Sequence, residues 1–283
     1  MTSLAPNNPL RLQGSLATES AADLALGGTC RVLAVFENAT YLLLEHGHEA
    51  VVALLGREAL QLPNSVRLLG AIPDLRQVLQ IGDTGWVSAD ELGVVQVHVG
   101  GARVALIGAH KPSHVQVRTA WSAHPDDVEA LAAAPSLRSR AHRLAAALDA
   151  GDPSPLNDLV GWGQGLTPAG DDLTCGVLLA MVATQRLESA HAIDLLGSQG
   201  RRTTSLSARL LRCAAQGMAV PEVVRLVDAL LGVDQRVTPE QVASVHAIGH
   251  SSGRDLCAGL AGALDHLLST PAPIHQPRSR REH

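Results

Sequence analysis

The sequence predicts an α+β chain in which an N-terminal β-rich region, a barrel or a sandwich-like domain, is followed by an α-helical one. Three observations predict it. Up to about residue 115 the apolar residues fall in short runs bounded by turn-forming residues, the pattern of strands. After Ser122 that pattern stops, and alanine–leucine segments with helical spacing and acidic or proline starts take over. Over 283 residues the chain is 46% hydrophobic and 17% charged, enough for a buried core and too apolar for disorder.

Taken in order, residues 1–22 mix Pro, Asn, Ser and Thr with scattered leucines and read as a loose segment. Residues 23–120 form the expected β-rich domain. Runs at 30–36, 41–45 and 51–55, separated by Glu-Asn-Ala-Thr and His-Gly-His, read as a strand meander. Residues 60–69 add an extended stretch across Pro63, and 73–79 a short helix. Strands resume at 85–88, 94–99 and 103–107, with Gly100-Gly101 as a hairpin turn. Residues 121–269 form the helical domain. Its helices are expected from Pro125, at 136–150, 168–185, 190–196, 205–216, 221–231, 239–248 and 253–268, with a short turn at 156–160. The helix at 168–185 is apolar nearly all round and should be buried. Residues 270–283, rich in Pro and Arg, read as a disordered tail.

Composition excludes several functions. A net charge of −5 without a clustered basic face does not suit nucleic acid. The longest apolar run, 173–183, is too short to cross a bilayer, and no signal peptide is visible, so a soluble cytoplasmic protein is expected, with no membrane partner. Cys30, Cys175, Cys213 and Cys257 are dispersed and read as reduced core residues. The histidine pairs His46/His48 and His110/His114 share faces but stand in turns without a third ligand, so a solvated role outweighs metal binding. Lys111, the one lysine, reads as a solvated loop residue beside Pro112.

The chemistry concentrates in Gly161-Trp-Gly-Gln-Gly-Leu-Thr-Pro-Ala-Gly-Asp-Asp172. Gly161, Gly163 and Gly165 permit backbone conformations closed to other residues, then Thr167 is the expected N-cap and Pro168 the first helical residue. Such a start offers unpaired N–H groups and a positive dipole end to an anion. A second start of similar build, Gly249-His250-Ser251-Ser252-Gly253, leads into Arg254-Asp255, with Ser252 and Asp255 spaced for a capping box. Small residues at both, Gly163, Gly165 and Gly170 in one and Gly249, Ser251 and Gly253 in the other, clear space for helix packing or for a ligand; the ligand is favoured. Asp171 is assigned to the site by its four-residue spacing from Thr167, with Asp172 bonding Ser251 or Ser252, or completing a magnesium site with bound phosphate. No cofactor is certain; magnesium is possible, although no third protein ligand for it is apparent. Thr203-Thr204-Ser205-Leu206-Ser207, after Arg201-Arg202, suits oxyanion recognition, while helix capping by Thr204 or Ser205 explains it equally. His250 is placed for proton transfer. Grouping it with Ser251 and Asp171 as a triad is disfavoured, because adjacent Ser and His rarely aim at one another.

The GLTPAGDD spelling, the 203–217 stretch and Ile248-Gly-His-Ser-Ser-Gly-Arg-Asp-Leu-Cys-Ala-Gly259, in that order over 161–268, resemble the AllH-type family, the third-subunit family of oxamate carbamoyltransferase. The resemblance implies a carbamoyltransferase-like system, in ureide or purine catabolism, acting with an FdrA-like subunit and one further subunit. On this reading the helical domain binds a small anionic metabolite, a carboxylate, phosphate or carbamoyl group. Asp171, Asp172 and His250 are its catalytic candidates, and Gly163, Gly165, Thr167, Gly170, Thr204, Ser207, Ser251, Ser252 and Gly253 contact the ligand. Two alternatives stay open: a regulatory or assembly subunit that senses such a metabolite, and a metal-dependent hydrolase using Asp171 and Asp172. Asp171→Asn is expected to abolish ligand stabilisation with the fold intact.

Overall fold

A computed structural model describes residues 9–48, 50–233 and 235–270. The first part is a closed barrel of eight strands: β1 (Leu10–Ala17), β2 (Gly28–Val35), β3 (Ala39–Leu44), β4 (Val51–Leu55), β5 (Ser65–Leu69), β6 (Thr84–Ala89), β7 (Val95–Val99) and β8 (Ala102–His110). Around the barrel the order is β1-β5-β4-β3-β2-β6-β7-β8. The hairpin neighbours are antiparallel, including β7 and β8 across the expected Gly100-Gly101 turn, whereas β4–β5 and the closing β1–β8 pair are parallel. Of the two architectures open to the sequence, the barrel is realised; closure removes the unpaired edges a small sheet would expose.

Strand β1 corrects the reading of residues 1–22 as loose. Leu12, Leu16 and Ala17 are buried, and the strand bonds β5 on one side and β8 on the other. Both partners are distant in sequence, so no local turn announces the pairing. Residues 1–8 of that segment lie outside the described residues, as do 271–283 of the expected tail. The expected helix at 73–79 is a single 3-10 turn, Leu75–Gln77, with Asp74 accepting from the Arg76 N–H.

The barrel interior is filled by side chains including Leu12, Val32, Leu42, Leu54, Val66 and Val104. Strand β4 is buried at every residue. Alternate side chains enter the barrel, while Ala53 and Leu55 join the core of the helical part, which is why this strand reads as an unbroken apolar run.

Helix α1 (Ala21–Ala25) follows β1. After the barrel come α2 (Pro125–Ala130), α3 (Pro135–Asp149), α4 (Leu156–Leu159), α5 (Ala169–Ala183), α6 (Ser189–Leu196), α7 (Ser205–Ala215), α8 (Pro221–Leu230), α9 (Pro239–His246) and α10 (Ser252–Ser269). Helix α5 is buried from Gly170 to Ala183, as its all-round apolarity predicts, and packs against α10, α7 and α3. The four cysteines are free and buried. Among the described residues no helix is long and apolar enough to cross a membrane. Arg209 on α7, 6% exposed, ties the helical part to the barrel side: it bonds the Glu19 carbonyl and pairs with Asp23 at 3.0 Å.

Candidate functional site

Between α4 and α5 the chain turns through Gly161, Gly163 and Gly165 with φ of +82°, +118° and +94°, conformations that favour glycine and that the alternating spacing anticipates. The helix start itself differs from expectation. Pro168, with ψ 145°, is the N-cap, helical geometry begins at Ala169, and no side chain caps it. Thr167 therefore lies off the helical path, and its hydroxyl meets Ser252 Oγ at 2.9 Å. The Gly170 N–H, expected open, donates to the Trp162 carbonyl at 2.8 Å. At the second start Ser251 is the N-cap without a side-chain cap bond, so the Ser252–Asp255 capping box does not form.

Asp171 is fully buried and faces the glycine turn. Its Oδ1 accepts from the Gly161 N–H at 2.8 Å, and its Oδ2 accepts from the hydroxyls of Ser207 at 2.6 Å and Thr203. Burial raises its pKa, opposed by these three donors. Both oxygens thus tie the turn to the start of α7 rather than reach a ligand. Thr204 caps α7, accepting from the Ser207 N–H at 3.1 Å, and donates to the Leu166 carbonyl at 2.5 Å. The hydroxyl run is therefore spent on capping and on Asp171. Arg202 donates to the Asn157 carbonyl, and Arg201 is exposed.

Asp172 turns the other way. It is 8% exposed, and its Oδ2 is buried with no hydrogen-bond partner among the described residues. Burial pushes its pKa up to about 7; the Ser252 and Thr167 hydroxyls favour the charged form, while Asp255 and Asp171 oppose it. Asp255, in the first turn of α10, is also buried with a partnerless Oδ2. Spacing had placed Asp171 with Thr167; the geometry places Asp172 there. Helical face-sharing does not extend to a residue outside the helix, and the extended Pro168 lies between.

Asp172 lines a cavity of about 730 Å³ between the barrel and the helical part. Gly165, Thr167, His250, Ser251, Ser252 and Gly253 also line it, forming its polar end. His250 and Ser251 are exposed at the rim. Gly163, Gly170, Asp171, Thr204 and Ser207 are not among its lining residues. A Cβ on Gly170 would stand 2.0 Å from the Leu159 carbonyl oxygen, and one on Gly253 1.8 Å from that of Val245, so close packing explains glycine at both. The histidine pairs are dispersed into side-chain contacts, His48 with Ser205 and His110 with Ser15. Among the described residues no group of three His, Cys, Asp or Glu side chains is placed to hold a metal ion.

The sequence reading missed the barrel's share of this cavity. Phe36 and Tyr41, the only phenylalanine and tyrosine in the chain, both line it and meet edge to face at 5.7 Å between ring centres. Their rarity was the available signal. Their position more than a hundred residues before the GLTPAGDD stretch hid the connection.

No solved structure matches the chain. The model of the family described as oxamate carbamoyltransferase subunit AllH matches residues 159–264. That span contains the glycine turn, Asp172 and the start of α10. The stretch of chain that carries Asp172 and the start of α10 is thus similar to an AllH-type family.

Proposed function

We propose that the chain is a subunit of an oxamate carbamoyltransferase-like assembly, and that its cavity holds the amide or carbamoyl group of a small metabolite against Asp172. The observation that carries this is the buried, partnerless Asp172 Oδ2 at the cavity wall. A buried acceptor of this kind lacks a donor, and leaving it so is costly. An amide N–H supplies that donor, and the one hydroxyl proton that the Thr167–Ser252 bond leaves free can be donated to its carbonyl oxygen. Of the three ligand classes the sequence suggested, the carbamoyl group fits best. The described lining residues include the acids Asp172 and Glu37 and neither lysine nor arginine, a poor setting for a phosphate. For oxamate, the carboxylate end faces the start of α10, where the helix dipole is positive and His250 stands at the rim.

A carboxyl group titrating near neutrality can also take up a proton from a nitrogen that is forming a bond, so Asp172 is the general-base candidate. Asp171 acts through position, holding the glycine turn. The family description is of a subunit, which supports an assembly with other chains; an FdrA-like subunit and a further one are the partners proposed. The test is a thermal-shift comparison of oxamate, simple ureido acids and inorganic phosphate on the whole chain and on Asp172→Asn. Oxamate or a ureido acid should raise the melting temperature of the wild type and lose most of that effect in the variant. Stabilisation by phosphate but by no amide would refute the reading.

A further inference from the structure

Resting on the reading of Asp172 as the amide acceptor, we infer that the metabolite bound there carries an apolar body, seated in a chamber that the barrel and helices build together. The polar end occupies only part of the cavity. Beyond it, Phe36, Tyr41 and Leu60 from the barrel side face Leu206 and Leu210 of α7 and Val223 of α8. Leu206 and Val223 are buried, and Tyr41 packs against the helical core.

Two observations beyond apolarity point to a ligand. The volume, about 730 Å³, lies within the ~300–1,000 Å³ range of pockets that enclose drug-sized molecules, and a molecule as small as oxamate fills little of it. At the head of the same space stands the Asp172 carboxylate, 8% exposed and with its Oδ2 unpaired, which fixes one end of the occupant chemically. A chamber with mostly apolar walls, Glu37 and Asn38 on its barrel side, and one buried unpaired carboxylate oxygen at its head suits a primary amide, urea or carbamoyl group borne on an aliphatic or aromatic body. In a chain with one phenylalanine and one tyrosine, both lie at this wall. The barrel thereby acquires a role the helical motifs do not assign to it: it determines which body is accepted.

The experiment is calorimetric titration of the full chain with a series of primary amides of growing chain length, acetamide through hexanamide, and with the matched carboxylates. Each methylene that enters the chamber should tighten binding of the amides about fourfold, the equilibrium equivalent of ~0.8 kcal/mol. Leu210→Trp, which fills the chamber from α7, should flatten that slope, and substitution of Ala59, which lines the same cavity after β4, by leucine (Ala59→Leu) provides the same test should the first variant fold poorly. Amides that bind with no dependence on length would overturn this inference and leave the Asp172 reading standing. Equal affinities for each amide and its matched carboxylate, with the length dependence intact, would keep the apolar chamber and refute the Asp172 reading. An absence of binding throughout would overturn both.

Discussion

Replacing Asp172 with asparagine should stabilise the protein at alkaline pH and leave it unchanged in acid. In the folded chain this carboxyl is pushed from an ordinary 3.8 to about 7, chiefly by burial. At ~1.4 kcal/mol per pH unit the displacement corresponds to roughly 4 kcal/mol between the protonated and ionised native states. Solvent screening from the residual exposure at the cavity wall reduces this to ~2–3 kcal/mol. The sign follows from proton binding. The native state holds this proton more tightly than the unfolded chain, so the contribution is fully present below pH 3.8 and is lost as pH rises through about 7. Asparagine has no such proton to lose. Its stability relative to wild type should therefore be near zero at about pH 4 and favour the variant by ~2–3 kcal/mol at about pH 8. Urea denaturation of both proteins across that range measures the difference directly, because every other titrating group is common to the two. A difference constant with pH, or a wild type more stable than the variant at pH 8, would refute the reasoning. It would mean that the carboxylate has a partner in solution and is not held for a ligand.

Removing the Asp171 side chain should destabilise the protein. Asp171→Ala leaves the Gly161 N–H and the Thr203 and Ser207 hydroxyls without their acceptor and should cost ~3–5 kcal/mol in denaturant unfolding, at ~1–3 kcal/mol for each group left unsatisfied. Asp171→Asn can keep the Gly161 contact through its carbonyl oxygen and should cost less, ~1–2 kcal/mol; the expectation that it leaves the fold untouched gives way to this. Gly253→Ala puts a methyl 1.8 Å from the Val245 carbonyl oxygen and should lower the melting temperature by the equivalent of ~3 kcal/mol or more, as α9 and α10 are forced apart. Thr167→Val, which removes the 2.9 Å contact with Ser252 at constant shape, should cost only ~1 kcal/mol in stability and show a larger effect on amide binding.

The contrast between the two aspartates shows where sequence stops being informative. Strands β2 to β4 and β6 to β8 are joined mainly by local turns; β2 and β3 are legible because a strand with one wet face alternates, and β4 because burial on both faces leaves an unbroken apolar run. Helix α5 is legible for the converse reason: a helix apolar on every side has no stable place except the interior. β1 was not legible, because its worth lies in bonding β5 and β8, and neither partner leaves a mark near Leu10–Ala17. The site reading failed at one backbone dihedral, the ψ of 145° at Pro168. Thr167-Pro168 fits a capped helix start, and the four-residue spacing to Asp171 then follows, but the Thr167 hydroxyl finds Ser252 across the fold and the cap is never made. Once Thr167 leaves the helical path, spacing loses its hold on which aspartate accompanies it. The decision passes to tertiary hydrogen bonding, where Asp171 acquires three donors and Asp172 is left with an oxygen unpaired. That asymmetry is what singles out Asp172 for the proposed site. Asp255 also carries a buried oxygen with no donor, but Asp172 alone of the two lines the large cavity, and the cost of leaving its oxygen unpaired is the physical ground on which a ligand is proposed there.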